Sequence, residues 1–122
     1  MGKKILVVDD NPHILEAIEL ILTTQNYEVK TLIKGDNTLS AAKFFLPNLI
    51  ILDLLLSGED GREITKALKE DKKTASIPIL LISALPSADE LAKEAGANAF
   101  LAKPFDVSTL LNMVSKIAIN GN

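Results

Sequence analysis

Solid apolar runs alternating with amphipathic stretches limit this chain to very few folds. Ile5-Leu6-Val7-Val8 is apolar without a break, which suits a strand buried on both faces better than one with a wet side. The run stops at Asp9-Asp10. Asn11-Pro12 then offers a helix cap and a first-turn proline. Ile14, Leu15, Ile18, Ile21 and Leu22 follow at helical spacing, with Glu16 and Glu19 turned to water.

The alternation continues to the last residues. Residues 27–32 read as a brief second strand. Asp36 is positioned to cap a second helix that buries Leu39, Ala42 and Phe45 or its neighbour before Pro47 ends it. Residues 49–56 are the most apolar segment, interrupted only by Asp53. Gly58 and Gly61 mark a loop, and Ile64, Ala67 and Leu68 give a third amphipathic helix. Pro78 introduces a fourth buried strand, 79–82, ending at Ser83. Ser87-Ala88-Asp89-Glu90 has the form of a capping box opening a short helix that Gly96 closes. Ala99-Phe100-Leu101 is a fifth strand, Lys103-Pro104 a turn, and residues 107–119 a last helix.

Strands alternating with helices imply right-handed crossovers and a parallel sheet covered on both faces. The expected fold class is α/β: a three-layer sandwich with a five-stranded parallel sheet and five helices. With 122 residues and no repeat, low-complexity tract or linker, the reading is one domain, 1–122, with its core at about 4–119. Aromatic residues make up only 4%, so that core must be aliphatic.

Composition removes several classes of function. The net charge of −3 and the isolated pairs Lys3-Lys4 and Lys72-Lys73 argue against direct nucleic-acid binding. There are no cysteines and one histidine, His13, which excludes disulfides and thiol catalysis and makes a histidine zinc site or catalytic triad untenable. His13, near the start of the first helix, reads as a surface residue. The four apolar residues between Lys4 and Asp9 are too few for a signal peptide, and Leu6 stands where a myristoylation signal needs Ser or Thr. No apolar run reaches membrane-spanning length. The expectation is a soluble cytoplasmic protein.

In a parallel sheet the carboxyl ends of all strands share one edge, where ligands bind. There the first strand ends in Asp9 and Asp10, the third carries Asp53, the fourth ends in Ser83, and Lys103 follows the fifth. Two unit charges ~4 Å apart repel by roughly 4 kcal/mol at an effective dielectric of about 20. Lys103 offsets part of that repulsion, and a divalent cation would offset the rest. An all-oxygen site favours Mg²⁺ or Mn²⁺ over zinc. Each residue alone has a blander reading: Asp9-Asp10 and Asp53 as caps, Ser83 as a turn residue, Lys103-Pro104-Phe105 as a turn. Their coincidence on one edge favours a site. No phosphate-cradling glycine loop follows the first strand.

Ile5-Leu6-Val7-Val8-Asp9-Asp10, Asp53, Gly61, Ser83-Ala84, Gly96-Ala97 and Lys103-Pro104-Phe105 together resemble the receiver domain of bacterial response regulators. The resemblance runs from Lys4 to about Ile119. It implies a flavodoxin-like strand order 2-1-3-4-5 and a phosphorelay role, with Asp53 taking a phosphoryl group from phosphohistidine. The donor would be a sensor histidine kinase or a histidine phosphotransfer protein. Asp10, Asp53 and the Leu55 backbone carbonyl would ligate Mg²⁺, or Mn²⁺, with Asp9 acting through a water. Lys103 and Ser83 would hold phosphoryl oxygens, Ala84 would leave them room, and a cis Lys103-Pro104 bond would aim the lysine. Ser83 and Phe100 would form a switch that reshapes a partner-binding face of the fourth helix, fifth strand and fifth helix.

Such a domain catalyses only its own phosphorylation and dephosphorylation and is no enzyme toward other substrates. The alternative is a pseudo-receiver that scaffolds protein contacts without phosphorylation. Three features depart from the family pattern. Ser57 stands where proline is usual, freeing an N–H and loosening the loop. The stretch 83–96 is a couple of residues shorter than usual, so the fourth helix is trimmed. Leu55 and Leu85 put apolar side chains beside the path of hydrolytic water, which implies slow self-dephosphorylation.

Overall fold

The computed structural model describes residues 2–118; the expected helix end at Ile119 and the tail from Asn120 lie outside the described residues. The solid apolar runs become the central strands: β1 (Lys4–Val8), β3 (Leu49–Asp53) and β6 (Ile79–Ser83). β2 (Glu28–Leu32) and β7 (Ala99–Ala102) form the edges. The sheet order is β2-β1-β3-β6-β7 and every pairing in it is parallel. This is the flavodoxin-like order expected. The strand numbers differ because β4 (Leu55–Leu56) and β5 (Glu59–Asp60) make a small antiparallel hairpin, built from the end of the apolar segment 49–56 and the loop read after it.

Alternation along the strands divides the core into two layers. Ile5, Val7, Leu49, Ile51, Leu80 and Ile82 face α1 (Pro12–Thr23) and α5 (Val107–Ile117). Leu6, Val8, Ile50, Leu52, Ile79 and Leu81 face α2 (Thr38–Phe45), α3 (Gly61–Glu70) and α4 (Ala88–Ala95). Both layers are aliphatic. Burying them at about 25 cal/mol per Å² of apolar surface is the main stabilising term.

The helix boundaries follow the sequence in part. Asn11 caps α1 as expected, accepting from the backbone N–H groups of His13 and Ile14 at 2.9 and 3.3 Å. His13 is exposed. Gly96 closes α4 at φ 96°, a left-handed conformation that suits glycine. Two expected caps do not form. Asp36 lies inside a single 3₁₀ turn, Gly35–Asn37, and makes no cap bond to α2; Thr38 Oγ1 donates back to the Gly35 carbonyl at 2.8 Å instead. Ser87 sits at φ 63° and caps nothing with its side chain, because a capping box needs extended backbone at that position. Of the adjacent phenylalanines Phe45 packs inward, while Phe44 is 91% exposed.

Gly61 joins the fold to the site. Its N–H donates to the Leu54 carbonyl at 2.8 Å. A Cβ at Gly61 would stand 2.5 Å from the Asp53 carbonyl oxygen and 2.8 Å from Leu54 Cα. Both neighbours are backbone and cannot rotate away. Gly61→Ala is therefore expected to lower stability by roughly 1–3 kcal/mol, measured by urea unfolding. A loss within experimental error would mean that the chain after β3 yields more easily than its packing indicates.

Candidate functional site

The carboxyl edge of the sheet gathers the predicted acidic residues. Beyond β1, Asp9 is fully buried; its Oδ1 accepts from Asn11 N–H at 2.9 Å and its Oδ2 from Lys103 Nζ at 3.2 Å. Asp53 ends β3 and is also buried. Its Oδ1 accepts from Leu55 N–H at 3.3 Å and its Oδ2 from the same Lys103 Nζ at 3.2 Å. Asp10 is half-buried and completes the group. Asp9, Asp10 and Asp53 each present a carboxylate oxygen, all within 4.8 Å of one another.

Lys103 reaches this cluster because β7 is paired to β6. Ser83 lies opposite Ala102, and Lys103 N–H continues the ladder to the Ser83 carbonyl at 2.9 Å. The Lys103-Pro104 peptide bond is cis, as expected. One ammonium thus serves two carboxylates. Burial works against its charge, but the attraction of Asp53 and Asp9 outweighs burial and raises the Lys103 pKa.

Asp53 responds in the opposite sense to an ordinary ion-paired carboxylate. Burial is the largest influence and the charge of Asp9 the next; together they overcome Lys103 and raise the Asp53 pKa above 3.8. Asp10 moves the other way. The Ser57 hydroxyl bond is the main cause; against the opposing effect of burial, it holds the Asp10 pKa below 3.8.

Other predicted residues are near but less engaged. Ser83 is buried at the end of β6, where its Oγ accepts from Leu85 N–H at 3.0 Å; among the described residues its hydroxyl makes no hydrogen bond to Asp53 or to Lys103. Phe100 is half-buried against the α2-α3-α4 layer. Leu55 and Leu85 are exposed at 54% and 40%. Ser57 departs from expectation. Far from loosening its loop, it donates through both Oγ and backbone N–H to Asp10 Oδ2, at 2.8 and 2.9 Å. A serine at a customary proline position was the available signal, since only a non-proline residue can supply that N–H.

The same chain pattern and fold recur in known proteins. The response regulator receiver domain family matches residues 5–115. The chain belongs to that family. Response regulator PleD of Caulobacter vibrioides is 40% identical over 108 residues, covering 87% of this chain and 24% of PleD. Chemotaxis protein CheY4 of Vibrio cholerae superposes with a TM-score of 0.89 at 29% identity, over 96% of this chain and 99% of that one. The receiver domain of sensor histidine kinase PA1611 from Pseudomonas aeruginosa superposes equally well, TM-score 0.89 at 28% identity, over 97% and 98%; that structure has magnesium coordinated in its active-site cleft. This receiver domain spans 24% to about half of the curated relatives it matches. Receiver domains are signalling domains of two-component systems. Among the described residues no helix is long and apolar enough to cross a membrane.

The raised Asp53 pKa sets a pH-dependent expectation. The folded chain binds that proton more tightly than the unfolded chain does. The charged carboxylate therefore costs stability above its folded-state pKa, and the cost vanishes as pH falls below the ordinary value of 3.8. In chelator-treated buffer at neutral pH, Asp53→Asn should raise Tm. The gain should shrink as the pH is lowered. A lower Tm for the variant at neutral pH would contradict the assignment of Asp53 as the strained member of the cluster.

Proposed function

We propose that this receiver domain is a phosphorelay acceptor in which Asp53 takes a phosphoryl group from a phosphohistidine. The donor is a sensor histidine kinase or a histidine phosphotransfer protein, in the cytoplasm. The carrying observation is that Lys103 Nζ bridges Asp9 and Asp53 at 3.2 Å each, with Asp10 in the same cluster. Three carboxylates against one ammonium leave two negative charges uncompensated when all are ionised. That imbalance and the all-oxygen donor set fit a divalent cation, Mg²⁺ with Mn²⁺ as a substitute. Asp10, Asp53 and the Leu55 backbone carbonyl would hold it, with Asp9 acting through a water. When bound, it neutralises the phosphoryl oxygens and the carboxylates facing them.

The residues of the chain do the rest. An Asp53 carboxylate oxygen forms the new bond to phosphorus as the histidine N–P bond breaks; the imidazole leaves with the electron pair and is protonated. Lys103, already shared by two carboxylates, moves its ammonium onto a phosphoryl oxygen. Ser83 turns its hydroxyl from Leu85 N–H toward another oxygen. Ala84, exposed beside it, leaves the phosphoryl group space. The movement of Ser83 opens room into which Phe100 rotates, and the face of α4, β7 and α5 changes shape for an output partner. Leu55 and Leu85 offer no group to orient attacking water, so the acyl phosphate is long-lived.

Incubation with acetyl phosphate and Mg²⁺ should add the mass of one phosphoryl group to the wild type and none to Asp53→Asn. An unmodified wild type would favour a scaffold that binds partners without phosphorylation. Leu55→Asn should shorten the phosphoform lifetime severalfold in the same mass measurement. An unchanged decay would remove Leu55 from the control of hydrolysis.

A further inference from the structure

Ser57 acts on one oxygen of one metal-site carboxylate. Its hydroxyl and backbone N–H both reach Asp10 Oδ2, and no other residue among those described donates to Asp10 through a side chain or backbone bond. A carboxylate has about four lone-pair positions. Two are engaged on Oδ2, so Oδ1 is the oxygen left for another ligand.

The donor is itself well anchored. Ser57 occupies the turn of the hairpin in which Leu56 pairs with Glu59, and Leu55 with Asp60. Leu56 is buried in the α2-α3-α4 layer. Asp60 begins α3 by accepting from Arg62 N–H at 2.9 Å. Gly58 provides the positive φ of 74° that the turn needs, with nothing near its Cβ position. Ser57 is therefore held by a paired element at one end and a helix start at the other.

We propose that Ser57 is a positioning residue for the divalent cation: it clamps Asp10 through Oδ2 so that Oδ1 meets the ion already oriented. The proposal rests on the acidic cluster being a cation site. A rotating half-buried carboxylate loses freedom when it binds a cation, and a clamped one has already lost it. Hydrogen-bonding partners that orient metal ligands typically contribute about 10–100-fold in affinity. Proline at position 57 would provide neither donor.

The test is Mn²⁺ affinity, measured on the whole chain by the loss of the free-ion electron paramagnetic resonance signal. Ser57→Ala, which keeps the N–H, should weaken binding by about 3–10-fold. Ser57→Pro, which loses both donors, should weaken it by about 10–100-fold. Ser57→Thr should restore wild-type affinity. Urea unfolding of the metal-free proteins checks that each is folded; if Ser57→Pro is not, the alanine and threonine pair decides. Asp10→Asn should remove most binding. If Asp10→Asn loses Mn²⁺ while Ser57→Ala binds as tightly as wild type or tighter, Ser57 is idle or competes with the ion, and the clamp is overturned. If Asp10→Asn binds like wild type, the cation-site reading itself fails.

Discussion

A single half-buried ammonium makes the carboxyl edge of this sheet possible. Lys103 is 17% exposed and touches both Asp9 and Asp53. Without it two buried carboxylates would face each other across less than 4.8 Å, a repulsion of roughly 3 kcal/mol or more at an effective dielectric of about 20. With it, Asp53 is still strained, since burial and Asp9 together outweigh the lysine. The cluster is therefore stable enough to fold and electrostatically unsatisfied. That combination is what the proposed cation and phosphoryl chemistry would require.

The apolar sheet supplies the rigidity that keeps this arrangement from relaxing. β1, β3 and β6 are buried along nearly their whole length, and the register of β6 with β7 sets where Lys103 leaves the sheet. Gly61 extends the same control past Asp53, because its close approach to the β3 exit has no space for a methyl group. The aliphatic core and the acidic pocket form one structure, with carboxylates placed where the dry strands β1 and β3 end.

Much of this was legible in the residues. Runs such as Ile5 to Val8 were readable because a short, largely β-branched apolar run that stops abruptly at charged residues suits a strand buried on both faces. Asp9 and Asp53 were visible because each sits where such a strand ends or has just ended, and Lys103 because it follows the fifth strand at the same edge. What was not legible depended on backbone conformation or very short pairing. The Ser87 capping pattern is present in letters and absent in geometry, since left-handed backbone turns the side chain away from the helix. The hairpin of β4 and β5 has only two residues in each strand, too few for any periodicity. The Ser57 contact to Asp10 joins positions 47 residues apart, and only folding brings them together. Ser83 was identified by position, yet its hydroxyl is engaged by Leu85 N–H, a detail of local turn geometry.

The central claim, that Lys103 is the shared counter-ion of a repelling carboxylate pair, is most directly tested by a double-mutant cycle. Lys103→Met and Asp53→Asn, singly and together, would be compared by urea unfolding of the metal-free protein. The account predicts that Lys103→Met destabilises the wild type far more than the Asp53→Asn background, with a coupling of about 1–3 kcal/mol. Additivity within about 0.5 kcal/mol would show that the two charges do not depend on each other and would contradict it.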